Sequence, residues 1–314
     1  MDEQFNHIHH TTPFYQEAKF MDDISGEIFH SFRVTDRKLS VAQVANGIMN
    51  QSSLRRFEKG DTSPYWVTVL PLLERLRIAP SEFFARTEGF GQTDTAAFYS
   101  RVTHAYNRKD TVLLDQMLAT RRVPNPQESA TLPFDHVDRI TIQAAIAMLQ
   151  GATLPKEETE FIVSYLHSQR TWFFYDLNML RFIPGLLPHD DLVWLAQNLF
   201  SHASAYINVL NNADLTADTV LNIATSLITV SQDYDEAERL LASSRREDAL
   251  KGKLDFSVHR KTLEAALVFH RGDLATAMNL YRRILDALDL FDADWDAQQV
   301  TTMWPLLIGK REEP

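Results

Sequence analysis

The sequence predicts an all-α protein in two parts: a small head of five short helices, then a longer body of paired helices. Three observations carry this expectation. Glycine and proline number only 10 and 12 in 314 residues, and long stretches contain neither. Apolar residues recur at three- and four-residue spacing, as one face of a helix requires. Turn signals such as Gly272-Asp273 divide the C-terminal two thirds at broadly similar intervals.

Composition sets the limits. A hydrophobic content of 45% supports ordinary cores, and the length suits two domains. With no cysteine there is no disulfide framework, thiolate metal site or cysteine nucleophile. No apolar run reaches the roughly 18 residues of a membrane span, and the polar, acidic start lacks a signal-peptide pattern. The expectation is a cytoplasmic protein without membrane association. The net charge of −11 argues against nucleic acid until its distribution is considered. Residues 25–86 hold nine Lys/Arg against six Asp/Glu, so a mildly basic head is attached to an acidic body. The expected division is an extension over 1–22, the head over 23–87 and the body over 88–314.

The head can be read helix by helix. Ile24, Ile28 and Phe32, with Phe29 beside them, put an apolar stripe on a first helix. Ser40 and Gln43 form a capping box for a second, whose small buried face is Val41, Val44 and Ala45. Asn46-Gly47 breaks it, and Ile48 and Met49 return the chain to the core. Asn50 is the expected N-cap of the third helix, where Leu54 and Phe57 face inward and Gln51, Ser52, Arg55 and Arg56 face outward. Gly60, after Lys59, suits a left-handed helix end. Ser63 as cap and Pro64 at the first helical position should open the fourth helix, with Trp66, Val69, Leu70, Leu73 and Leu76 on its apolar face. Pro80-Ser81-Glu82 starts a fifth, closed onto the core by Phe83 and Phe84. A small-residue second helix and a polar third one make a helix-turn-helix domain.

These residues carry a resemblance. Leu39, Ser40, Val44 and Ala45, then Ser52, Leu54, Arg56, Phe57, Glu58 and Gly60, then Glu82 and Phe83, resemble the pattern of Rgg-like regulators. Those are Gram-positive members of the broader Xre or phage-repressor type. Ser53, Arg55 and His30 depart from the residues usual in that family. The resemblance implies promoter DNA as a partner, with Gln51, Ser52 and Arg56 facing bases. Gln can pair bidentately with adenine and Arg with guanine. Arg55 shares that outward face. Ser40, at the start of the second helix, would take a phosphate, and Lys59 would suit the opposite backbone. Glu58, on the inner side, is expected to pair with Arg33.

From about Thr93 the chain reads as a degenerate, tetratricopeptide-like α-solenoid of about five helix pairs. The clearest unit is Gly272 to Tyr281, in which Gly-Asp makes the turn, Ala277 admits the neighbouring helix and Tyr281 fills the next layer. A weaker copy runs from Asp233 to Leu241, and turns near Asn107 to Asp110, Leu154-Pro155 and Leu187 to Asp190 divide the rest. A stack of this kind offers a concave surface for extended peptides. Resemblance to the Rgg-like architecture implies a short hydrophobic signalling peptide there, quorum-sensing in type, and a homodimer. Phe256 to Trp304 is the expected subunit contact. Candidate peptide residues are Asn178 and Asn222, whose amides can fork to a backbone; Arg260 and Lys261, for a carboxylate; and Phe173, Tyr175 and Tyr206, for apolar pockets.

No HExxH, GxSxG, Walker loop or GxGxxG is present. His7, His9 and His10 read as part of a polar tail. Asp176 and the run Asp289, Asp292, Asp294 and Asp296 read as solvated. The expectation is therefore no enzyme, no cofactor and no metal. Two other readings stay open from sequence: a repeat scaffold without DNA binding, and a regulator that answers a small molecule or no ligand.

Overall fold

The computed structural model describes residues 25–86, 94–121, 132–209 and 211–309. The N-terminal extension, its three histidines and Ile24 lie outside them. Every regular element among the described residues is helical. The chain divides between Ala97 and Phe98 into two compact units.

In the head, helix α1 (residues 25–31) runs into a π-type turn, Phe32–Asp36. Helices α2 (Val41–Ala45), α3 (Gln51–Glu58), α4 (Trp66–Leu76) and α5 (Pro80–Arg86) follow. The capping box at Ser40 is formed: its hydroxyl accepts from the Gln43 amide, and the Gln43 side chain accepts from the Ser40 N–H. Gly47 turns α2 into α3 with φ +73°, and Gly60 closes α3 with φ +77°. Phe29, Val44, Leu54, Leu72, Leu73, Leu76 and Phe83 fill one core, each at most 2% exposed.

Two expectations for the head change. Asn50 occupies the N-cap position of α3 but makes no side-chain cap. The fourth helix begins at Trp66 with Tyr65 as its cap, not at Pro64 with Ser63. Its buried residues are Val69, Leu72, Leu73 and Leu76, while Trp66 and Leu70 are exposed, Trp66 stacking on Phe84. The apolar stripe therefore starts one turn later than its spacing suggests, at Val69.

The body consists of α6 (Asp94–Asn107), α7 (Thr111–Thr120), α8 (Phe134–Gln150), α9 (Lys156–Ser168), α10 (Phe174–Met179) and α11 (His189–Ala203). After these come α12 (Asn212–Ser226), α13 (Tyr234–Ser244), α14 (Leu254–His270), α15 (Leu274–Leu290) and α16 (Asp294–Leu307). Sequence neighbours pack together, as in α7 with α8, α12 with α13 and α14 with α15. Alternate helices also pack: α8, α10, α12, α14 and α16 follow one another in one layer, and α11 meets α13 in another. This is the two-layer arrangement of a helical-repeat array.

The turns explain why. Asp110, Asp233 and Asp273 each cap the following helix by accepting from the amide three residues on. Each follows a left-handed residue: Lys109 at φ 54°, Gln232 at 54° and Gly272 at 92°. The same backbone turn recurs at Asp292-Ala293 before α16, without the side-chain cap. Ala237 and Ala277 are fully buried where helices meet, and Tyr281 stacks on Trp304 of α16 at 4.5 Å.

Candidate functional site

On α3, Gln51, Ser52, Arg55, Arg56 and Lys59 are all exposed, whereas Leu54, Phe57 and Glu58 are buried. Two hydrogen-bonded groups fix the pose of this helix. Arg33 donates from Nε to Glu58 Oε1 at 2.5 Å and from Nη2 to Oε2 at 2.7 Å, and from Nη1 to the Leu39 carbonyl at 2.7 Å. One buried guanidinium thus ties the end of α1 to the chain entering α2 and to the last turn of α3. His30 Nδ1 lies 3.0 Å from the same Glu58 carboxylate. Burial alone would raise the Glu58 pKa; the hydrogen bonds and charge of Arg33 and His30 outweigh it and hold the carboxyl below its ordinary value.

A second fixture carries no side chain. A Cβ placed on Gly26 would lie 1.9 Å from the Phe57 carbonyl oxygen, so α1 packs backbone against the end of α3. Ser40 is exposed, but its N–H is already committed to Gln43. A phosphate at that point would meet the hydroxyl first, and the amide only if Gln43 swings away.

In the body, the seven peptide candidates fall in separate places. Asn222 lines a cavity of about 240 Å³ with Tyr106, Asn107, Arg181 and Asp218. Its amide donates to the Arg181 carbonyl at 3.1 Å. Arg181 pairs with Asp218 at 3.2 Å and donates to Thr103 Oγ1 at 3.2 Å. These lining residues come from α6, α12 and the segment just after α10. Sequence reading missed Arg181 and Asp218; the available signal was a lone arginine within Leu180-Arg181-Phe182-Ile183.

Phe173 and Tyr206 are exposed and meet ring to ring at 4.8 Å. Lys261 lines a different groove, between α14 and α15, with Leu254, Val258 and Ile284. The remaining three are engaged within the fold. Asn178 is buried and donates to Phe174 of its own helix. Arg260 pairs with Glu264 at 2.5 Å. The Tyr175 hydroxyl donates to Asp138 at 3.0 Å.

Asp176 is a correction: it is 4% exposed, not solvated. Its carboxylate accepts from the Tyr165 hydroxyl at 2.7 Å and the Phe173 amide at 2.9 Å, capping α10 from inside. Burial raises its pKa, and also that of Asp138 against the opposing charge of Arg121. Elsewhere in the body, one ligand-type atom from each of Asp255, His259 and Asp296 lies within 4.8 Å of the others.

The head thus presents an exposed polar third helix on a five-helix frame, and the body is a two-layer helical array. Residues 124–248 match the family model for the C-terminal domain of the HTH-type transcriptional regulator Rgg. The middle of the body is thus similar to that domain. A comparison with curated proteins gives no match.

Among solved structures, a proposed transcriptional regulator from Listeria monocytogenes EGD-e aligns with TM-score 0.76 and 15% identity, over 92% of this chain and 98% of that one. The SHP pheromone receptor Rgg2 of Streptococcus dysgalactiae aligns with TM-score 0.71 and 18% identity, over 90% and 99%. PrgX, in a complex with cCF10, aligns with TM-score 0.66 and 14% identity, over 92% and 94%. Likeness at these identities speaks to the fold, which it extends over both parts of the chain.

Proposed function

We propose that the chain is a cytoplasmic regulator that binds promoter DNA as a homodimer through α3 and is modulated by a short hydrophobic peptide held by the body. The observation that carries the DNA half is the outward cluster Gln51, Ser52, Arg55, Arg56 and Lys59 at a helix fixed from behind by Arg33–Glu58. Residues at the leading end of such a helix reach base edges in the major groove, and Lys59 reaches the backbone. One head reads one half-site, so two heads supply the affinity.

The peptide half is supported by the Rgg-type C-terminal domain and by the fold shared with a named pheromone receptor and a named peptide complex. Within the body, the cavity around Asn222, Arg181 and Asp218 is the best seat for a peptide backbone and one side chain. Phe173–Tyr206 offers a separate apolar contact. Asn178, Arg260 and Tyr175, already engaged within the fold, support the frame and do not line the seat.

Duplexes enriched from a random pool by the full chain test the reading. Arg56→Ala should abolish binding to the enriched duplex with an unchanged circular dichroism spectrum, and wild-type affinity should fall steeply with added salt. No enrichment, or equal binding by the variant, would favour a scaffold without DNA binding.

A further inference from the structure

Along the layer that holds the Asn222 cavity, α14 and α16 bring three ligand-type side chains together. A ring nitrogen of His259 and one carboxylate oxygen from each of Asp255 and Asp296 lie within 4.8 Å of one another. Asp255 and His259 stand four residues apart on α14, so both project from one face; their Nδ1–Oδ1 distance is 3.0 Å. Asp296 comes from the first turn of α16.

His259 Nδ1 also lies 3.1 Å from the Asp255 carbonyl oxygen. The Nδ1 edge of the ring therefore faces both Asp255 oxygens. The His259 side chain is only 12% exposed, so its ring is held in place, not free in solvent.

The carboxylates around the cluster are paired with cations of their own. Asp218 is paired with Arg181 and Asp214 with Lys253. Asp255 and Asp296 have His259 between them as their shared neighbour. Burial raises the Asp218 pKa against the opposing charge of Arg181; Asp255 and Asp214 add to the rise, and His259 reduces it.

We propose that Asp255, His259 and Asp296 form a zinc site that ties α14 to α16. One imidazole nitrogen and two carboxylate oxygens suit a borderline cation with a water in the fourth position. They suit calcium or magnesium poorly, since those ions favour all-oxygen shells. The ion would link two neighbouring helices of the layer that lines the Asn222 cavity. The site stands independently of the DNA and peptide reading.

His7, His9 and His10 could chelate zinc themselves, so the measurement belongs in a full-length background carrying His7→Ala, His9→Ala and His10→Ala. Calorimetry there should give one Zn²⁺ per chain, with a raised melting temperature. His259→Ala and Asp296→Asn should each weaken binding at least about tenfold, since both remove a direct ligand. His189→Ala, which faces Asp233, should leave it unchanged. Co²⁺ should give the visible absorption of a low-coordinate site, lost in the same variants. Asp296→Asn is a near-isosteric change, so it decides the matter even if His259→Ala misfolds. No zinc uptake in the three-alanine background, or uptake unaffected by Asp296→Asn, would overturn the proposal.

Discussion

Arg33 and Glu58 are 25 residues apart and almost wholly buried, so each depends on the other for solvation. Removing Arg33 leaves a carboxylate in the core beside His30 and should cost about 3–5 kcal/mol. The folded-state pKa of Glu58 is depressed, so its contribution is present above the ordinary carboxylate range and is lost as pH falls through the folded value. Asp138 and Asp176 in the body have raised values, so their sign is opposite: their contribution is present at low pH and is lost as pH rises through the folded values. Acidification through the carboxylate range should therefore weaken the head relative to the body. Melting followed by calorimetry at neutral and acid pH should show the head's transition moving down relative to the body's, and Glu58→Gln should flatten that movement. Parallel movement of both would contradict it. The Arg33–Glu58 pair was legible because Glu58 falls on the inward side of α3. Asp176 was not: a lone carboxylate read as solvated, and the Tyr165 hydroxyl that satisfies it is contributed by the preceding helix.

At the level of elements, the capping box at Ser40, the left-handed glycines and the Asp-capped repeat turns followed from local chemistry, and so could be read directly. The start of α4 could not, because Ser63-Pro64 is a good local opening that the core does not use. Gly26 was also silent. Its role is set by the Phe57 carbonyl, which arrives from another helix. Gly26→Ala gains helix propensity but forces α1 away from α3, and should destabilise the head by about 1–3 kcal/mol. Chemical denaturation would measure this; a stabilised head would show that α1 can shift without penalty. The same variant should weaken DNA binding, because it disturbs the support behind Arg56.

For the whole molecule, the all-helical, two-part fold was legible from two features, a polar third helix in the head and Asp-initiated repeats in the body. The ligand seat was less so. Asn222 stood out as an amide in an apolar helix, but its companions Arg181 and Asp218 are assembled from different helices, and sequence spacing does not bring them together. If this seat holds an apolar peptide, calorimetry with a panel of short hydrophobic peptides should find a binder whose heat-capacity change is negative. Asn222→Ala should weaken it, while Lys261→Ala, in another groove, should not. Binding that answers only to Lys261 would move the seat to the α14–α15 groove.

The repeated turn has one more consequence. At Lys109, Gln232 and Asp292 the main chain adopts a left-handed torsion with an ordinary side chain attached, whereas at Gly272 it does so with none. Each of those three joints forgoes roughly 1 kcal/mol that glycine would not. The array consequently holds thermal robustness in reserve, open to an engineer one joint at a time, with neither layer repacked.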